Sequence, residues 1–312
     1  MYPFARNGGF VGDVVLPQEC GLGANVPISI EALFVDGTSR IAHSSTFSVG
    51  EAPHPWIPRN RSYNLESLLW DPYAGMPRYH CREIAGAPHF YSESRLPTVR
   101  LIETGVTHPW GDKTRMLIGA LKPSELFLDF GAGIKRPDEL AANAVLIDAI
   151  QFPNIDVVTT CDRLPFNDET FSLVVSQAVF EHLPNPFQAA KEILRVLKPG
   201  GTVLIDTAFM TPFHADPDHY FNMTTEGLRA IMNGYEIIEI GVQPYQVASI
   251  GLILQLETIL PLMKAGHWRG RLEALLDEIR REGHALDDDL GPLGQRTIAA
   301  GVFVVATKPG HR

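Results

Sequence analysis

Three stretches of this 312-residue chain concentrate side chains suited to chemistry. The first is Asp129-Phe130-Gly131-Ala132-Gly133. Glycines in such a run let backbone approach a ligand where a side chain would collide. Alone, the same pattern fits a plain tight turn. The second is Asp148, fifteen residues after Gly133. A carboxylate there can accept hydrogen bonds from both hydroxyls of a ribose. The third is the stretch 211–224, which gathers His214, Asp216, Asp218, His219 and Tyr220. Histidine titrates near neutral pH and can take a proton from a hydroxyl or amine. His214, His219 and Asp218 are therefore the catalytic candidates. Asp216 and Asp218 equally suit caps for a helix beginning near Thr224.

Such groups need a frame, and the middle of the chain predicts one. Apolar runs at 126–129, 144–148, 155–159, 171–176 and 202–206 read as strands. Their alternation with helical segments implies parallel βαβ units. Between the last two, Asn185 can cap a helix and Pro186 suits its first turn. Phe187, Ala190, Leu194 and Leu197 recur at helical spacing, and Lys198-Pro199-Gly200-Gly201 ends the helix. The stretch 245–292 reads as helical, followed by an apolar strand at 297–307.

Within this frame lies an ordered set: Leu164-Pro165-Phe166, then 171–176, then Phe180-Glu181-His182-Leu183, then Glu192-Ile193-Leu194-Arg195-Val196-Leu197-Lys198-Pro199-Gly200-Gly201. It resembles the class I S-adenosylmethionine (SAM)-dependent methyltransferases of the small-molecule type over about 100 residues. The resemblance implies an α/β, Rossmann-like fold: a seven-stranded, mostly parallel sheet with the last strand antiparallel. It implies SAM as cofactor across the carboxyl ends of the first strands. By matching positions, Asp129, Gly131 and Gly133 would border its methionine part and Asp148 its ribose. Cys161, Asp162 and Leu164 would flank the adenine. Ser176 and Gln177 would face the sulfonium and the substrate, with His182 organising the loop below. Two positions depart from the pattern: Lys135 replaces a third glycine, and Thr160 stands where an acidic residue is usual.

The expected division is an N-terminal extension over 1–110 and a methyltransferase-like domain over 111–312, with a helical insertion at about 245–292. The extension carries short β segments at 28–35 and 41–49 around the turn pair Asp36-Gly37. It would shape the acceptor site, and His108 and Asp112 at its end are expected substrate contacts together with Tyr220. Its scattered His and Cys residues lack paired metal-ligand spacing, so no metal is expected.

The formal net charge of −10 argues against an extended phosphate-binding surface and disfavours an anionic membrane. Three distant cysteines give no disulfide framework. With no leader pattern and no long apolar run, a cytoplasmic biosynthetic enzyme is expected. The leading reading is methyl transfer to a small molecule, a glycan or secondary-metabolite intermediate. Two alternatives keep the fold: another displacement or cyclisation without SAM, and a non-catalytic binding subunit. A homodimer or a partner subunit is left open.

Overall fold

The computed structural model describes residues 25–33, 39–48, 61–69, 79–84, 87–92, 109–133, 141–149, 152, 154–159, 164–214 and 218–310. His108, Lys135, Thr160, Cys161 and Asp162 lie outside the described residues. Strands β1 (Asn25–Leu33) and β2 (Ser39–Ser48) pair antiparallel, with a register shift between Ile30 and Glu31. They are the hairpin that Asp36-Gly37 predicts. A second hairpin, β3 (Tyr79–Ile84) and β4 (Ala87–Ser92), has no counterpart in the sequence reading.

The main sheet is built from β5 (Phe127–Phe130), β6 (Ala144–Asp148), β7 (Val157–Thr159), β8 (Phe171–Gln177), β9 (Leu197–Ala208), β10 (Glu236–Gly241) and β11 (Gly301–Thr307). Their spatial order is β10-β11-β9-β8-β5-β6-β7. Strands β5 to β9 pair in parallel, and β11 runs antiparallel to both of its neighbours. This is the expected seven-stranded arrangement. The hairpin of β3 and β4 extends it to nine, with β4 parallel to β7. Strand β10 has largely exposed side chains, so no apolar run marks it out.

The central strands are apolar without alternation because both faces are covered. On one face Leu128, Phe130, Val174, Val203 and Ile205 pack against α2 (Pro186–Val196) and α3 (Thr225–Ile231). On the other, Phe127, Leu146, Val175 and Leu204 pack with Trp110, Phe152 and α1 (Asp112–Gly119). Asn185 caps α2 as predicted, its side chain accepting from Gln188 N at 3.1 Å. The buried stripe of α2 is Pro186, Ala189, Ala190, Ile193 and Val196. Phe187, one residue round the helix from this stripe, is exposed rather than buried. The turn after α2 is absorbed into β9: Phe171 pairs with Leu197 and Leu173 with Thr202, so the residues between bulge out around Gly200. Gly200 takes φ +76, which glycine adopts without Cβ cost.

The expected helical insertion is α4 (Ala248–Ile259) and α5 (His267–Ile298), the latter broken at Gly291-Pro292. Leu256 and Leu260 pack on Leu276 and Ile279 in a small separate core. Asp287 ties the pair together by accepting from Ser249 N and Oγ at 2.9 and 2.6 Å. Among the described residues no helix is long and apolar enough to cross a membrane.

Candidate functional site

The carboxyl ends of β5, β6, β8 and β9 form one edge of the sheet, where open α/β folds place ligands. At β5, Gly131 and Gly133 adopt φ +75 and +58. A Cβ on Gly131 would run into Val179 Cγ2, whereas nothing described lies within 4 Å of one on Gly133. The amide of Gly133 donates to Asp148 Oδ2 at 2.9 Å, closing the β5 turn onto the end of β6. Asp129 is buried and accepts from the Trp110 indole Nε1 at 2.8 Å. Two carboxylates thus flank a glycine cradle at adjacent strand ends.

A second polar group lies on the α1 side of the same edge. Gln177, the last residue of β8, accepts from Thr114 Oγ1 at 3.1 Å and donates to the Tyr245 hydroxyl at 3.3 Å. Tyr245 donates to Asp206 Oδ2 at 2.6 Å, and Gln243 Nε2 donates to the Tyr245 oxygen at 2.7 Å. Burial raises the Asp206 carboxyl from 3.8 to about 7; Tyr245 pulls it back and Glu181 adds to the rise. Burial and the Asp206 charge likewise push the Tyr245 phenol up. Ala178, next to Gln177, holds a left-handed φ of +54, a strained conformation for a residue with a Cβ. Its amide donates to Asp206 Oδ1 at 3.2 Å.

On the opposite face sits the loop after β9. The ring centroids of His182 and His214 are 5.0 Å apart, and those of His214 and His219 4.4 Å. His219 Nδ1 accepts from the His214 amide at 3.2 Å, and its Nε2 meets Asn222 Oδ1 at 2.7 Å. Both nitrogens of His219 are thereby engaged. His214 Nδ1 contacts the Pro212 carbonyl at 3.0 Å, and His182 Nδ1 contacts that of Asp218 at 2.5 Å. Carbonyls only accept, so Nδ1 carries the proton in both rings, and in the neutral ring the lone pair is on Nε2. Tyr220 is exposed, its hydroxyl 3.3 Å from Asp218 Oδ2. The helix cap expected from Asp216 or Asp218 is instead Thr224, which accepts from Gly227 N at 3.1 Å.

The edge therefore gathers Asp129, Gly131, Gly133, Asp148 and Gln177 with His182 of the turn after β8 and with His214, Asp218, His219 and Tyr220 of the loop after β9. Asp112, first residue of α1, acts by its charge on the Tyr245 phenol. Ser176 is placed differently: its side chain is fully buried on the α2 side of β8 and its Oγ lacks a partner. Leu164 is buried in the core. Sequence reasoning passed over Trp110, Asp206 and Tyr245. A signal existed for Asp206, an acid closing the apolar run 203–205.

The Leu-Pro-Phe and Glu-x-x-Arg motifs are joined by contacts. Glu192 accepts from Leu164 N at 2.8 Å, while Arg195 donates to the carbonyls of Leu164 and Phe166, each at 2.8 Å. Arg195 also pairs with Glu192 and Asp168 at 2.8 and 2.7 Å. These motif residues hold the loop before β8 onto α2.

Residues 129–205 match the family model described as a methyltransferase domain. This segment belongs to the class I SAM-dependent methyltransferase family. The chain is 36% identical over 92 residues to an uncharacterized methyltransferase of Mycobacterium tuberculosis, covering 28% of this chain and 35% of that protein. It is 45% identical over 51 residues to one of Mycobacterium leprae, covering 16% and 19%. The match thus spans about a third of the first relative's length. Among solved structures, the fold is similar to phosphoethanolamine N-methyltransferase 2 of Haemonchus contortus with SAM (20% identity, 64% of this chain, 53% of that one, TM-score 0.41). It is also similar to the [4+2]-cyclase SpnF (16%, 60% and 76%, TM-score 0.39). The methyltransferase domain carries its cradle at the end of β5, where the match begins.

Proposed function

We propose that the chain is a SAM-dependent methyltransferase acting on a hydroxyl or amine of a small molecule, such as a glycan or secondary-metabolite intermediate. The observation that carries this reading is the bond from Gly133 N to Asp148 Oδ2, which sets a bare glycine turn beside a carboxylate at adjacent strand ends. The residues present fit the cofactor. Among the described residues nothing comes within 4 Å of a Cβ on Gly133, Asp148 ends the neighbouring strand where a ribose-binding carboxylate is expected, and Asp129 sets a second carboxyl at the end of β5. When bound, SAM supplies an electrophilic methyl group on a sulfonium.

The chain's own residues then have separate tasks. Gly131 and Gly133 admit the ligand to the backbone. The network of Gln177, Tyr245 and Asp206 fixes the wall next to the methyl-bearing end, and such alignment is most of what methyl transfer requires. Proton removal from the acceptor falls to the loop after β9, where His214 offers an Nε2 lone pair. His219 buttresses His214 rather than acting as the base, because both its nitrogens are engaged. The division into an acceptor-shaping extension over 1–110 and a domain over 111–312 belongs to the same proposal, with His108, Cys161 and Asp162 keeping their expected roles.

Titration calorimetry with S-adenosylhomocysteine tests the reading. Binding in the wild type, weakened at least about tenfold in Asp148→Ala, supports it. No heat at millimolar ligand would sink it and leave the fold to another displacement or a binding role.

A further inference from the structure

We infer that Glu181, His182 and His214 form a binding site for a first-row divalent cation, of which zinc is the best fit. A carboxylate oxygen of Glu181 and one ring nitrogen of each histidine all lie within 4.8 Å of one another. Two imidazoles and a carboxylate are a recurrent donor set for zinc sites that keep an open position.

Three features distinguish this cluster from a chance meeting of polar side chains. Glu181 is 2% exposed, and the hydrogen bond its carboxylate accepts is from Thr207 Oγ1 at 2.7 Å. Among the described residues that one neutral donor compensates a buried carboxylate poorly, and a shared cation would complete its surroundings. Both histidines are held in the tautomer that ligation needs: Nδ1–H is spent on the backbone carbonyls of Asp218 and Pro212, leaving Nε2 to bind. That carbonyl bond is the usual outer support of a metal-bound histidine. The two loops are also fastened together, because the Glu181 carbonyl accepts from Tyr220 N at 2.7 Å. Ligands at about 2.1 Å from a tetrahedral ion stand about 3.4 Å apart, so the closure needed is at most about 1.4 Å. His214 is exposed and on a loop, so it can make that movement.

Spacing concealed the set. Glu181 and His182 are adjacent, but His214 comes from the far side of α2 and β9. The site faces the acceptor side of the edge, so its open positions would take an acceptor hydroxyl. The bound ion would then lower that hydroxyl's pKa, its proton passing to water, so that with the ion in place the metal takes over the task His214 performs without it. This last step rests on the methyltransferase reading; cation binding does not.

The test uses the full chain, stripped with a chelator and titrated with Zn2+ by calorimetry and with Co2+ by visible absorption. One ion per chain is expected, with cobalt bands of a nitrogen- and oxygen-ligated site. Because Glu181 is buried, the deciding variant is the exposed His214→Ala, expected to weaken binding at least about tenfold. His182→Ala and Glu181→Gln should follow. Absence of stoichiometric binding, or equal affinity in His214→Ala, would overturn the site. S-adenosylhomocysteine binding by the stripped chain, measured separately, shows whether the methyltransferase reading stands when the metal site fails.

Discussion

The Tyr245 hydroxyl donates to Asp206 Oδ2 across 2.6 Å, binding the loop after β10 to the carboxyl end of β9. Gln177 and Gln243 both donate to the same tyrosine oxygen. An ionisable group is therefore locked into the wall of the candidate site, in the face of its own burial.

That burial has a pH signature. Burial raises the folded Asp206 carboxyl to about 7 from its ordinary 3.8. Between these values the folded chain binds more protons than the unfolded one, so stability falls as pH rises from about 4 to 7. The full penalty, on the order of 4 kcal/mol, is present above pH 7 and absent below 4. Asp206→Asn should flatten this slope in chemical denaturation across that range. An unchanged slope would show that Asp206 ionises normally.

The two cradle glycines should respond differently to a methyl group. Gly131→Ala meets both a left-handed φ and Val179, and should cost about 3–5 kcal/mol. Gly133→Ala meets, among the described residues, the φ alone and should cost about 1–2 kcal/mol. Urea unfolding measures both, and equal losses would remove the role given to Val179.

Arg195→Ala removes donors from Leu164 and Phe166 and the partner of Glu192. A loss of about 3 kcal/mol is expected, since a poorly exposed acid loses its countercharge and keeps only the Leu164 amide as donor. Arg195→Lys should recover only part, because an ammonium cannot span the three acceptors. Thermal unfolding of the two variants gives the comparison.

Trp110→Phe keeps an aromatic ring edge-on to Phe127, whose centroid is 5.6 Å away, but deletes the bond to Asp129. A cost of about 1–3 kcal/mol is expected from that bond alone. Denaturation showing under about 0.5 kcal/mol would mean Asp129 is satisfied without it.

The sequence by itself determined the frame. Continuous apolar runs, Asn185-Pro186 and the terminal strand carry their own periodicity and capping, so β5 to β9, α2 and β11 were legible. So were Gly131, Gly133 and Asp148, because a glycine turn and a strand-end acid are local patterns. Tertiary structure decided what depends on closure of the chain. It showed that Phe187 faces outward, that Ser176 points into the core, and that Arg195 clamps the Leu-Pro-Phe loop. It joined Asp206 to Tyr245, and Glu181 and His182 to His214, across segments that no spacing rule connects. Hydrogen bonds and ligand sets depend on distance in space, and sequence patterns report only distance along the chain.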